Sequence, residues 1–187
     1  RKTFPRAWLA AAALVAWAGE LLAAPVVTEM QPRHGRPGTR VVFTGKDLQS
    51  VSAVRFGGAL ADWEPLTVLD GQGRPHVFEI HATVPNAATT ARPTLATPLG
   101  DITMPMPFVV APRITGFHPA RGWRGTIVTI EGQNFAGVTV VKFGARLANF
   151  SVTAATQIRA VVPPNVTDGA ITVSHDETGT SGEPFIV

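Results

Sequence analysis

The side chains that could carry out catalysis form few clusters in this chain of 187 residues. The most conspicuous is the contiguous run Ser174-His175-Asp176, which contains the residue types of a hydrolase triad. Successive side chains on a strand point to opposite faces, so these three cannot converge as nucleophile, base and orienting carboxylate. The chain also has no cysteine, no G-x-S-x-G motif and no phosphate-binding glycine loop. We therefore predict no catalytic residue and no enzymatic activity.

Candidate metal ligands are equally sparse. Glu79 and His81 are two residues apart on an apolar-polar run, which places them on one face of a strand. Asp176 and Glu177 form a separate acidic doublet. A metal site normally needs three or four converging ligands, and neither pair supplies them. We predict no metal and no cofactor.

The net charge of +3 is concentrated at the N-terminus. Arg1, Lys2 and Arg6 precede an uncharged segment, and without residues 1–18 the chain has 13 basic and 13 acidic residues. A neutral remainder offers no basic face for a phosphate backbone. We therefore predict no nucleic-acid partner.

The apolar N-terminal segment, residues 1–24, has two interpretations. A basic start, an apolar centre and the small residues Ala16-Trp17-Ala18 are typical of a cleavable secretory signal. If a helix instead continues to the end of the segment, Phe4–Ala24 is about 30 Å long and could contact the membrane as a retained anchor. Both interpretations export everything after Pro25 to the periplasm or cell surface of a bacterium, and a retained helix would hold it at the inner membrane.

The rest of the chain contains an internal repeat. Residues 25–45 align without a gap with residues 112–132, and the same offset of 87 holds as far as Ala61 and Ala148. Beyond that point the first copy is nine residues longer, and we place the extra residues in the turn-rich stretch Asp70–Pro75. We predict two domains, 25–111 and 112–187, with almost no linker between them. Pro112 restricts the backbone there, so we expect a stiff junction.

Short β-branched runs bounded by glycine, proline and asparagine follow one another in each copy. In the second copy they cover residues 126–130, 138–143, 158–162 and 170–173, with an apolar period of two. No helical stripe follows residue 25. The pattern predicts an antiparallel β-sandwich in each copy.

The second copy also carries a dense motif of glycines, prolines and apolar residues. It reads P-x-I-x-x-x-x-P-x-x-G-x-x-G-T-x-V-x-I-x-G-x-N-F over residues 112–135, followed by Val141-Lys142-Phe143-Gly144, Val162-Pro163 and a closing Phe185. These residues resemble the IPT/TIG family, whose immunoglobulin-like domains occur in plexins, Rel-type transcription factors and bacterial surface proteins. The resemblance implies two tandem immunoglobulin-like antiparallel β-sandwiches in an all-β chain, preceded by one hydrophobic N-terminal helix. The first copy resembles the family as far as Gly57, and we expect its strands after Asn86 to differ.

Most residues shared by the copies serve the fold. We expect Phe56 and its counterpart Phe143 to anchor the two cores. We also expect a positive φ at four turn glycines: Gly35, Gly38, Gly122 and Gly125.

Trp123 is our candidate for partner contact, together with Arg121 and Arg124. It lies in the turn Gly122–Gly125, and its counterpart in the first copy is Arg36, so the fold does not require an aromatic ring there. Aromatic residues beside arginines are typical of interface anchors. Alternatively, the indole covers the end of the sandwich or the joint between the domains.

The resemblance implies a non-enzymatic exported subunit for interaction or assembly. It would bind a protein partner, such as a membrane complex, through its immunoglobulin-like domains at the periplasmic or outer face of a bacterial membrane. The alternative is a secreted carbohydrate-binding accessory module. Only Trp63 and Trp123 lie outside the leader, which is few for a sugar-stacking surface.

Overall fold

The computed structural model describes residues 24–187 apart from residues 70, 74 and 177. Within this part the protein is all-β, with eighteen strands and a single 3₁₀ turn, Leu48–Ser50. This confirms the predicted fold class. The predicted N-terminal helix, Phe4–Ala24, lies outside the described residues except for Ala24.

The first unit contains two antiparallel sheets. The first sheet comprises β1 (Val26–Gln31), β3 (Arg40–Lys46), β6 (Asp62–Leu69) and β7 (Pro75–Thr83), in the order β1-β3-β7-β6. The second comprises β4 (Ala53–Phe56), β5 (Ala59–Leu60), β8 (Thr94–Ala96) and β9 (Ile102–Thr103), in the order β5-β4-β8-β9. A short parallel pair closes the unit, where β10 (Val109–Val110) lies beside β2 (His34–Gly35).

The second unit repeats this arrangement. Its first sheet comprises β11 (Arg113–His118), β12 (Ile127–Gln133), β15 (Asn149–Ala154) and β16 (Gln157–Val161), in the order β11-β12-β16-β15. Its second sheet comprises β13 (Val140–Phe143), β14 (Arg146–Leu147), β17 (Gly169–Ser174) and β18 (Thr178–Phe185), in the order β14-β13-β17-β18. The late strands β8 and β9 are much shorter than their counterparts β17 and β18, as expected for residues after Asn86.

Each unit packs its sheets over a separate apolar core. Alternating side chains of the strands point inward, as the period of two predicts. Phe56 meets Phe108 edge-on at 5.1 Å between ring centroids, and Phe143 meets Phe185 in the same way at 5.0 Å. All four rings are buried, which confirms the expected core positions of Phe56 and Phe143.

The turn glycines play two different roles. Gly38 and Gly125 both have a φ of +90°, which only glycine adopts readily, so the prediction is correct for this pair. It is wrong for Gly35 and Gly122, which do not have a left-handed φ. A Cβ on Gly122 would lie 2.7 Å from Oγ1 of Thr126, and one on Gly35 would meet Thr39 in the same way. These two glycines are required because the threonine side chain packs against the turn.

Each unit has two ends, which the strand register defines. The entry end is the end at which the first strand, β1 or β11, begins. The exit end carries the turn after that strand and the loop that follows β7 or β16. The exit end of the first unit meets the entry end of the second. Nη2 of Arg36 donates to the carbonyl of Thr178 over 3.2 Å, and Nδ2 of Asn134 donates to the carbonyl of Ala88 over 3.3 Å. The exit end of the second unit is therefore opposite the joint.

Candidate functional site

Trp123 lies at the exit end of the second unit, with 83% of its surface exposed. The backbone beneath it is held by several hydrogen bonds. The amide of Trp123 donates to Oγ1 of Thr126 over 3.1 Å, and the amide of Thr126 donates to the carbonyl of Trp123 over 3.0 Å. The amides of Gly122 and Gly125 donate to Ile186 and Val162. The indole is thus presented on a fixed turn, and it covers neither the sandwich end nor the joint.

Exposed aliphatic side chains occur at the same end. Together with Trp123 we call Ile127, Leu147 and Val161 the exit-end patch; the exposure of these three lies between 37% and 66%. Ile127 and Val161 are direct cross-strand partners. Leu147 and Val161 line one shallow cleft of about 280 Å³, which Arg124 and Asn149 also border. Single exposed aliphatic residues are common on proteins, whereas a cluster around an exposed indole is typical of a binding surface.

The rim of this patch is basic. Arg121 precedes the turn, Arg124 lies within it, and Arg146 precedes Leu147 at the same end; all three side chains are exposed. Nε of Arg146 donates to the carbonyl of Asn165 over 3.2 Å, which fixes the position of its guanidinium. An apolar centre with a cationic rim complements a surface that is apolar in the middle and acidic at its edge.

Trp63 does not form part of an exposed surface of this kind. It is the partner of Ala82 across β6 and β7, on the face that packs against the first core, and its ring is half-buried. The first unit therefore uses its tryptophan for packing. Of the two tryptophans outside the leader, Trp123 is the more exposed, whereas the half-buried Trp63 borders a shallow cleft with Glu64 and His81.

The other candidate residues from the sequence do not come together as a catalytic or metal-binding site in the described part of the chain. Oγ of Ser174 pairs with Oγ1 of Thr178 at 3.0 Å, whereas Nδ1 of His175 lies 3.1 Å from Oδ2 of Asp176. Nε2 of His81 lies 2.9 Å from Oε2 of Glu79, so these two share a face as predicted. Among residues 24–187, apart from the three that are not described, no group of three or more histidine, aspartate or glutamate side chains could hold a metal ion. Glu177, the other half of the acidic doublet, lies outside the described residues.

Sequence reasoning found Trp123 but missed the aliphatic part of the patch. One signal was present. Ile127 and Val128 are adjacent in a strand with a period of two, so one of them must face outward, and Val128 is the buried one. Leu147 and Val161 come to the same end of the unit as Trp123 only through the pairing of distant strands, which the sequence does not display.

No helix in the part of the chain that the structure describes is both long and apolar enough to span a membrane.

Comparison with known proteins identifies the family of the second unit. No curated protein is significantly similar in sequence. Among solved structures, the surface glycan-binding protein PbSGBP-B from Prevotella bryantii matches 86% of this chain and 42% of its own, at 18% identity and a TM-score of 0.45. The extracellular region of plexin A4 matches 87% of this chain and 18% of its own, at 21% identity and a TM-score of 0.39. The Gamma-CGTase of Alkalophilic bacillus clarkii matches 79% and 22%, at 14% identity and a TM-score of 0.37.

The chain spans less than half the length of each of these structures. The model of the IPT/TIG domain matches residues 112–186, which form the second unit. A tandem copy of the same family in the first unit stays a prediction. Residues 112–186 belong to the IPT/TIG domain family.

Proposed function

We propose that the chain is a non-enzymatic exported binding subunit that contacts a protein partner through the exit-end patch. Each unit is a domain in this proposal, with the boundary between residues 111 and 112. The observation that carries the proposal is the exposed indole of Trp123 on a turn fixed by backbone hydrogen bonds. Aromatic residues and arginines are the residues most enriched at the centres of protein interfaces.

A contact within the chain supports this use of the exit end. In the first unit the counterpart of Trp123 is Arg36, and its guanidinium binds the backbone of β18 in the second unit. The same turn, on the same scaffold, therefore already docks against a β-sandwich once. We infer that the second unit presents its turn to another protein, with Trp123 in place of Arg36.

Photo-crosslinking in the native host tests the proposal. A benzoylphenylalanine at position 123 should give a discrete adduct with another protein. The matched control is position 60, because Leu60 is the counterpart of Leu147 and is 59% exposed on the first unit. Adducts of the same mass and yield from both positions, or none from position 123, would contradict the proposal.

Trp123→Ala separates an anchor from a structural role. The substitution should reduce recovery of the crosslinked partner at least tenfold, since truncating an interface anchor typically costs about 2 kcal/mol or more. The melting temperature should not change, because the indole makes no core contact. A fall of several degrees with recovery intact would show that Trp123 stabilises the domain instead.

Carbohydrate binding is the second candidate. The observation that favours it is the cleft beside Trp123, where the guanidinium of Arg124 and the amide of Asn149 could bind hydroxyl groups while the indole stacks on a sugar ring. PbSGBP-B is itself a surface glycan-binding protein, although the likeness to it is one of fold. Affinity electrophoresis in polysaccharide-containing gels distinguishes the candidates. Retardation of the parent chain that Trp123→Ala abolishes would favour carbohydrate, and unaltered migration in every polysaccharide would exclude it.

We further propose that the chain acts at the periplasmic or outer face of a bacterial membrane, either released after cleavage of its leader or held by it. N-terminal sequencing of the native protein distinguishes these two states. A start near Gly19 would establish cleavage, whereas a protein that retains Phe4–Ala24 would establish the anchor.

A further inference from the structure

The hairpin formed by β6 and β7 continues past the last pair between β3 and β7 in the first unit. Pairing between β3 and β7 ends at Thr44 and Glu79, whereas β7 continues back to Pro75, where it pairs with β6, contacts the 3₁₀ turn Leu48–Ser50 and places Val77 in the core. Those four further residues extend the hairpin by about 13 Å at roughly 3.3 Å per residue. The corresponding hairpin of the second unit, β15 and β16, is shorter and keeps its partner β12 along the length of β16. The first copy thus has the longer hairpin, which we call the arm.

The arm carries exposed apolar side chains at the entry end of the first unit. They are Leu66, Val68, Leu69 and Phe78, and Leu99 in the loop after β8 lies at the same end, because β8 runs antiparallel to β4 and ends beside Ala53. We call these five the entry-end patch. Between 44% and 65% of each is exposed. The ring of His76 stacks on that of Phe78 at 6.2 Å, which holds the aromatic ring at the surface of the arm.

The chain enters the first unit at this same end. Val26, the first residue of β1, pairs with Lys46, the last residue of β3, and Lys46 lies at the end towards which the arm extends. The uncharged sequence of residues 7–18 comes shortly before Val26. The apolar leader, the apolar patch and an exposed lysine therefore belong to one end of the molecule, and the joint and Trp123 lie away from it.

We propose that the entry-end patch inserts into the interface of a lipid bilayer and seats the first unit on the membrane surface. Aliphatic and phenylalanine side chains that project from a hairpin can enter the boundary between headgroups and acyl chains, and a neighbouring lysine can pair with anionic headgroups. Continuity with the apolar leader selects lipid as the occupant, because the leader would bring this end, and no other, to the bilayer. The inference rests on the retained leader of the proposed function and not on the proposed partner, which would bind at the opposite end.

Depth-dependent fluorescence quenching tests the contact. The chain has no cysteine, so a single cysteine can be introduced at Leu69 or at Leu99 and labelled with nitrobenzoxadiazole. The full chain is reconstituted in vesicles of phosphatidylcholine and phosphatidylglycerol, with and without brominated acyl chains. A label at Leu60 is the matched control, since this residue is similarly exposed on the same unit but lies away from the arm. Brominated lipid should quench the labels at 69 and 99 at least twofold and leave the label at 60 unaffected.

A second variant tests the arm itself. Leu69→Asp combined with Phe78→Asp should abolish quenching of the label at 99, and it should leave the melting temperature unchanged because both side chains are exposed. Three results would overturn the proposal: failure of the chain to sediment with vesicles, unquenched labels at 69 and 99 on vesicle-bound chain, and quenching that the double substitution does not reduce. Protection of these labels by another protein, without an effect of bromine, would assign the patch to a protein contact instead.

Discussion

The turns Gly35–Gly38 and Gly122–Gly125 share a backbone and differ in what they touch. Both end with a glycine at a φ of +90°, and both bind a threonine hydroxyl through the amide of their second residue. Arg36 of the first turn reaches the second unit, whereas Trp123 of the second is exposed. Both turns are built from two glycines and a threonine. The residue at the tip, Arg36 or Trp123, therefore determines what each turn contacts.

The largest effect we expect comes from the cores on which these turns stand. Phe143→Ala should lower the free energy of unfolding of the second unit by about 3–5 kcal/mol, because it removes a buried ring and leaves a cavity. Phe56→Ala should do the same to the first unit. Because the two cores are separate, differential scanning calorimetry should show that each substitution shifts one transition and leaves the other in place. A single transition that both substitutions shift equally would mean that the units unfold together.

A smaller effect is expected at a close approach that both units share. A Cβ on Gly132 would lie 2.0 Å from the carbonyl oxygen of Arg113, and one on Gly45 would lie 2.1 Å from that of Val26. Gly132→Ala and Gly45→Ala should each cost about 1–3 kcal/mol, as forced overpacking does. Gly182→Ala is the control, because a Cβ there meets nothing within 4 Å. Urea denaturation measures all three, and a neutral Gly132→Ala would show that β11 can shift away from β12.

The joint should contribute more to geometry than to stability. Arg36→Ala removes the hydrogen bond to the carbonyl of Thr178, and such a bond at an exposed position is worth about 1 kcal/mol or less. The distance distribution between spin labels placed on the two units should broaden, because the bond from Arg36 to Thr178, together with that from Asn134 to Ala88, ties the two units across the joint. Double electron-electron resonance on a cysteine pair measures it. An unchanged, narrow distribution would assign the stiffness to Pro112 and the short connection alone.

The smallest effect should come from exchanging the tip residues. Trp123→Arg gives the second turn the side chain of the first, and its free energy of unfolding should change by less than about 0.5 kcal/mol, as is usual for exposed positions. Arg36→Trp provides the reverse exchange, and it should disturb the joint without loss of the turn. A loss of more than about 1 kcal/mol in Trp123→Arg would refute the view that the fold does not need the indole.

Much of the scaffold could be predicted because its determinants are local or repeated. The offset of 87 residues and the period of two predicted both sandwiches, and Phe56 and Phe143 are buried where the alignment places them. The alignment singled out Trp123, whose counterpart is Arg36, but it did not show how deeply either tryptophan is buried. Burial depends on which sheet face or turn lies against a core, and for Trp63 that follows from its pairing with Ala82, 19 residues away. The positive φ predicted for Gly35 is wrong for a related reason. A Cβ at this position would collide with the side chain of Thr39, so glycine is required by packing and not by its backbone conformation.

The short parallel pairing of β2 with β10 has a mechanical consequence. Chain tension between the two ends of the first unit would pull β2 towards the entry end and β10 towards the exit end, so their hydrogen bonds would be loaded in shear and together rather than one after another. A parallel bridge between Arg121 and Ile186 occupies the same place in the second unit. If a membrane holds the protein at one end and a partner holds it at the other, the two parallel pairings would carry the force in the same way in both units.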